Sequence, residues 1–289
     1  MLKKTFAVVA TLGLSVSIFG GSASYAQTSP ENKLEQIQQQ KAEEEYKAKE
    51  EVQLAAEVKD ESIENIEEQS EELTEEVADL SDEEYTRFMH NYVSENNEST
   101  EEMQEKLDLL GVEFVPEEGK DIQTMAMKDP SKLSLSVYSS KRAGKSYWYL
   151  QTSWRSKEIE FDPATLDVVS MEWNPKYGKF YTATAGGKGI TTKRDGSKRG
   201  KGIYLFNVND DVTIFDSYAS VQVTKNKKGW LEFGSKYTHT YSATKKTKTG
   251  QAGINFDSTG PVGGYSYSVT KTSYVSSWPR YNENAVYLR

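Results

Sequence analysis

The sequence predicts an α+β protein in two sequence-separated parts: acidic N-terminal helices, then an all-β antiparallel sandwich or barrel. Three observations carry this. The first is a charge split. The 289 residues sum to a formal charge of −9, but Gln27–Lys128 holds 31 acidic and 9 basic residues, whereas Asp129–Arg289 holds 13 and 24. The second is texture. The acidic part is rich in Glu, Gln and Leu, the basic part in Tyr, Thr, Ser, Val and Gly, which are helical and strand compositions respectively. The third is spacing. After Asp129, short apolar runs alternate with turn signals such as Asn174-Pro175, Asp195-Gly196, Lys228-Gly229 and Gly260-Pro261.

The elements follow in order. Lys3 and Lys4 precede an apolar run from Phe6 to Phe19, and Ser24-Tyr25-Ala26 places small residues at the −3 and −1 positions. That is the order of a secretory signal peptide, so cleavage is expected after Ala26 and the mature chain is expected outside the cell or on its wall. The run is about 14 residues, short of the ~20 that span a bilayer. With no cysteine in the chain, a lipid anchor on sulfur, thiol chemistry and thiolate metal sites are excluded. The expected divisions are a signal peptide over 1–26, an acidic helical segment over 27–111, a linker over 112–130 and a basic β domain over 131–289.

Asn32 to Leu80 reads as one long helix. Val52, Ala56, Ile63, Ile66, Leu73, Val77 and Leu80 form a heptad seam, suited to a coiled coil, to self-association or to packing on a later helical hairpin. Ser81 with Glu84 makes a capping box, and Tyr85, Phe88, Met89, Tyr92 and Val93 follow as an apolar stripe. Ser99 caps a further helix carrying Met103, Leu107 and Leu110, which Gly111 ends.

The expected strands are Leu133–Ser139, Ser146–Arg155, Glu158–Asp162, Asp167–Trp173, Ile203–Val208, Val212–Thr224, Gly229–Gly234, Lys236–Ala243, Ala252–Phe256, Tyr265–Tyr274 and Ala285–Leu288. Many short strands with no helical pattern favour a sandwich or barrel. Most of the tryptophans and tyrosines are expected to fill its core.

Little here suits catalysis, and no enzyme is expected. The histidines are His90 and His239. A Ser–His–Asp arrangement around His239 has no Gly-x-Ser-x-Gly elbow before it. Glu158 and Glu160 share a strand face but read as solvated carboxylates. Asn207, Asn209, Asp210 and Asp211 could hold calcium, yet the same residues favour a plain hairpin turn. No metal or cofactor is expected.

The strongest functional signal is a basic, glycine-rich loop. Lys176, Lys179, Lys188, Lys193, Arg194, Lys198, Arg199 and Lys201 are opposed within that span only by Asp195. Lys225, Lys227 and Lys228 form a second cluster, and Lys245, Lys246 and Lys248 a third. Such loops attract polyanions. Outside a cell these are teichoic acids, anionic lipid headgroups or acidic glycans; export argues against nucleic acid as the native ligand. The opposite charges also allow the acidic helices to dock on the basic surface and screen it.

Two resemblances add expectations. Residues 236–278, with alternation at Ala252/Ile254/Phe256 and Tyr265/Tyr267/Val269 around Gly260-Pro261 and Gly263-Gly264, resemble in texture the membrane-inserting hairpins of β-pore-forming toxins such as the leukocidin family. This implies membrane damage as an alternative function, although Lys271 falls on the apolar face and the preceding strand, at about five residues, is shorter than the 9–11 a spanning strand needs. The layout of signal peptide, Glu-rich helices and Tyr/Thr-rich β domain resembles that of secreted proteins of Gram-positive bacteria, which implies a location and no site residues. The expected function is therefore a non-enzymatic binding protein for an anionic envelope polymer or glycan.

Overall fold

A computed structural model describes residues 46–289, except 95, 118–120, 123–132, 157–164, 187–189, 210–215, 243–249 and 273–274. Four helices come first: α1 over 46–60, α2 (Ile63–Asp79), α3 (Asp82–Val93) and α4 (Thr100–Leu109). The single long helix expected through Leu80 is broken at Glu61–Ser62, because Ser62 acts as an N-cap and accepts a hydrogen bond from the Asn65 N–H. The break resets the helical phase. In α1 the buried residues include Leu54, Ala55 and Val58, while Val52 of the expected seam is 50% exposed. In α2, Ile66, Leu73 and Val77 are buried as the seam requires, but within an intramolecular core.

The next two helix starts follow the sequence closely. Ser81 and Glu84 form the reciprocal capping box of α3, and Tyr85, Phe88, Met89 and Tyr92 are buried on its apolar stripe. The Ser99 hydroxyl accepts from the Glu102 N–H at the start of α4.

The β portion is an open sandwich, not a closed barrel. One sheet has the order β1-β3-β4-β9-β6, from β1 (Val112–Val115), β3 (Leu133–Arg142), β4 (Tyr147–Ser156), β9 (Asp216–Lys225) and β6 (Gly178–Ala185). The second has the order β2-β13-β10-β5-β8-β7, from β2 (Asp121–Ile122), β13 (Val275–Leu288), β10 (Gly229–Ser242), β5 (Asp167–Trp173), β8 (Ile203–Val208) and β7 (Thr191–Lys193). All of these pairings are antiparallel. A small hairpin of β11 (Ile254–Asp257) and β12 (Ser266–Val269) completes the fold.

Several segments differ from expectation. The presumed linker contains β1 and β2, and the presumed flexible basic loop contains β6 and β7. β10 runs unbroken through Ser235, because it pairs along its whole length with β13, which begins at Val275 and not at Ala285. The expected strand Glu158–Asp162 lies outside the described residues. Of the toxin-like stretch, the hairpin strands β11 and β12 are four residues each. No helix among the described residues is long and apolar enough to cross a membrane.

Side-chain alternation explains the layers. On β4, Trp148, Leu150 and Trp154 face the second sheet, while Tyr147 and Tyr149 face the helices. On β5, Val169, Met171 and Trp173 face the first sheet, while Val168 lies with Ile203 and Leu205 under Tyr267 and Val269 of the hairpin. Four layers result: helices, five-stranded sheet, six-stranded sheet, hairpin. Central strands are covered on both faces, so every residue of β5 is buried.

Helices and sheets belong to one compact unit, Glu45–Arg289. The helices dock through an aromatic core of Tyr85, Phe88, Tyr92, Phe114, Tyr138 and Tyr149, not through the lysine-rich turns. Arg142, at the end of β3, ties the layers together. Its guanidinium donates to the Val77 (3.1 Å) and Leu80 (2.5 Å) carbonyls at the end of α2 and to Asp82 Oδ1 (3.1 Å) at the start of α3. One buried cation thus satisfies carbonyls that the helix end leaves open and pairs the carboxylate beside them.

Candidate functional site

The antiparallel registers bring four chain segments to one end of the sandwich. The β5–β6 turn is fixed by Asn174, whose Oδ1 accepts from the Lys176 N–H at 3.2 Å. The β9–β10 turn is fastened to it: the Asn226 N–H donates to the Tyr177 carbonyl at 2.7 Å, and the Asn226 amide to the Lys176 carbonyl at 3.2 Å. The pairings Gly178↔Lys225 and Gly229↔Leu288 add the starts of β6 and β10 and the end of β13. A 3₁₀ turn, Arg199–Lys201, leads into β8, and the Trp173 N–H donates to the Gly202 carbonyl at 2.9 Å. Gly202 is required there. Its φ is +77°, and an added Cβ would lie 2.0 Å from the Trp173 carbonyl oxygen.

This end is strongly cationic. Lys176, Lys179, Lys198, Arg199, Lys201, Lys225, Lys227, Lys228 and Arg289 are all exposed. Several stand over aromatic rings: Lys176 over Tyr177 at 5.1 Å, Lys198 over Phe256 at 5.4 Å, Arg199 over Phe180 at 5.2 Å and Lys201 over Tyr265 at 5.8 Å. Ring faces orient a cation without neutralising it, so positive charge is held at the surface. Lys225 Nζ donates to the backbone oxygen of Arg289 at 2.6 Å.

The expected site residues therefore separate. Lys176, Lys179, Lys198, Arg199 and Lys201 gather at this end. Lys193 is exposed on the edge strand β7. Arg194 does not serve as a surface ligand-binding residue: it is 8% exposed, donates to Asn207 Oδ1 at 2.5 Å and to the Ala252 carbonyl, and ties β7 and β8 to the segment before β11. Lys188 and the cluster Lys245, Lys246 and Lys248 lie outside the described residues. Lys225, Lys227 and Lys228, a separate cluster in the sequence, become neighbours of Lys176 and Lys179 through the β6–β9 pairing.

Four of the five tryptophans are buried, namely Trp148, Trp154, Trp173 and Trp278, while Trp230 is 60% exposed. Directly across the β10–β13 register stands Tyr287, 39% exposed, with ring centroids 5.4 Å apart and planes at 67°. Sequence reading does not single out Tyr287. Its visible signal is the alternation Val286, Tyr287, Leu288, which puts the tyrosine on the face opposite two core residues.

Other polar groups are internal. His239 Nδ1 lies 2.9 Å from Asp167 Oδ2, which also accepts from the Tyr237 hydroxyl at 2.6 Å, while Oδ1 accepts from the Thr240 N–H at 2.7 Å. This carboxylate is fully enclosed and well supplied with donors, and the imidazole stacks beside Tyr241 and lies tilted against Trp278. His90 Nε2 lies 3.3 Å from Asp216 Oδ1 where α3 meets the sheet. Under the hairpin, Glu172 Oε1 lies 3.9 Å from Lys236 Nζ, and burial pushes the carboxyl up and the amine down in pKa, with the opposite partner offsetting each. Asp210 and Asp211 of the calcium reading, and the pair Glu158/Glu160, lie outside the described residues. Among the described residues no group of three or more His, Asp or Glu side chains could hold a metal ion.

No protein-family model matches this chain, and no curated protein matches it. Among solved structures, a cohesin module from a family 33 glycoside hydrolase of Clostridium perfringens ATCC13124 is similar over 43% of this chain and 84% of that one, at 10% identity and a TM-score of 0.23. At that score the likeness carries no argument about fold or function.

Proposed function

We propose that this chain is a secreted, non-enzymatic binding protein whose cationic turn end engages an anionic polymer of the bacterial cell envelope. The observation that carries the reading is convergence: Lys176 and Lys179 meet Lys225, Lys227 and Lys228 on turns locked to one another by Asn226. Cations fixed on a rigid rim present a steady field to a repeating anion, and several weak contacts add along a polymer. The helices take no part in that rim; they cover the far face of the five-stranded sheet.

The test is co-sedimentation of the protein with purified Gram-positive cell walls, with and without their teichoic acid. Binding should need the anionic polymer and should fade at high salt. The double substitution Lys227→Glu and Lys228→Glu should weaken it at least tenfold, at about 1 kcal/mol per cation near an anionic surface. Wild-type binding that ignores both salt and the polymer's removal would defeat the reading.

A further inference from the structure

The outer face of the six-stranded sheet is covered by the β11–β12 hairpin over β5 and β8, where Val168, Ile203 and Leu205 are buried. The paired ends of β10 and β13 lie beyond that cover. Here Trp230 and Tyr287, which with Tyr181 are the exposed large rings among the described residues of the β portion, are cross-strand partners on this outward face. Leu231, Val286 and Leu288, their immediate neighbours in sequence, all point into the core. The two rings are therefore presented outward by strand geometry, not left over from packing.

Their surroundings are graded in charge. Toward the turn end lie Lys227 and Lys228, and Lys225 bonded to the Arg289 backbone. Toward the sheet interior, on the same face, lies Glu232, exposed and paired across to Ala285. Cations, then a ring platform, then a carboxylate is an order that suits one chemistry. A pyranose ring lays its C–H face on an aromatic side chain, its anionic substituent turns toward the lysines, and its hydroxyls donate to Glu232.

We infer that Trp230 and Tyr287 form a sugar-binding platform, and that the ligand of this end is an anionic glycan with pyranose rings. The inference rests on the polyanion reading above and narrows it, because a ring-free polyphosphate would satisfy the lysines yet leave the platform unused.

The experiment compares binding of the whole protein to polygalacturonate (charged, ring-bearing), polyphosphate (charged, ring-free) and dextran (ring-bearing, uncharged). Trp230→Ala should weaken polygalacturonate binding about tenfold while leaving polyphosphate binding unchanged, and a cooperative thermal melt like that of the wild type shows that the variant is folded. Tyr287→Ala should do the same to a smaller extent. Lys227→Glu with Lys228→Glu should weaken both charged ligands, and dextran should bind weakly throughout. If Trp230→Ala leaves polygalacturonate binding intact, or weakens both charged ligands alike, the platform is refuted while the polyanion reading stands. If the wild-type protein binds neither charged ligand, the polyanion reading itself fails, and the platform with it.

Discussion

At the scale of single residues, the most consequential side chain is Arg142. It is buried, and it satisfies helix-end carbonyls and the Asp82 carboxylate at once. Removing one partner of such a pair strands the rest, so Arg142→Ala should lower unfolding stability by about 3–5 kcal/mol in urea titration; a loss under about 1 kcal/mol would show the network to be dispensable. Glu51 sets a pH dependence. Burial raises its pKa from 4.5 to about 7, outweighing the Arg87 guanidinium 2.7 Å away. The folded chain then holds a proton that the unfolded chain has released, so this group's contribution is full below about pH 4.5 and is lost as pH rises toward 7. Glu51→Gln should flatten the stability profile across that window, which thermal melting at stepped pH would reveal. Local residue roles were legible: Ser81, Glu84 and Ser99 act within three positions of themselves. Arg142 and Arg194 were not, because their partners lie on other strands and helices, and a basic residue in a charged stretch looks the same whether it faces water or a carbonyl.

At the scale of elements, the helical hairpin and the alternating strands β3, β4, β5 and β8 were readable because periodicity survives in their own residues. β6 was hidden. Its glycine and lysine content mimics a loop, and its strand character comes from pairing with β9 and from a bulge between Phe180 and Thr182. The long helix was over-read for the converse reason: the seam's spacing carries across Ser62, but a serine able to cap a new start ends the old one. Gly202→Ala should cost about 2 kcal/mol or more, since both its φ and the Trp173 carbonyl oppose a side chain. A chain reduced to residues 129–289 should bind a hydrophobic dye and aggregate, because it leaves Tyr138 and Tyr149, now fully buried, without their helical cover. A soluble, cooperatively melting fragment would contradict that.

At the scale of the whole molecule, the sequence announced the charge split but not its layout. The described acidic segment does not neutralise the basic one by lying across it. It packs on one sheet face through aromatic contacts, while the lysines of distant segments collect at the turn end. That gathering depends on strand order and register, which no local signal encodes. Binding to polyanions should accordingly fall steeply with ionic strength as the Debye length shrinks from about 10 Å at 0.1 M to about 3 Å at 1 M salt. The stability of the fold, held by three apolar cores, should change far less over the same range, as parallel denaturation curves would show.

The isolation of Trp230 also makes the molecule an optical instrument. The other four indoles are at most 7% exposed, so their emission is blue and shielded, whereas Trp230 emits into water. Iodide, drawn to the neighbouring lysines, should quench that one red component selectively, and Trp230→Phe should abolish the quenchable fraction. A ligand seated on the platform would shield the same indole and shift its emission to shorter wavelength, so occupancy could be followed by light alone, without a label.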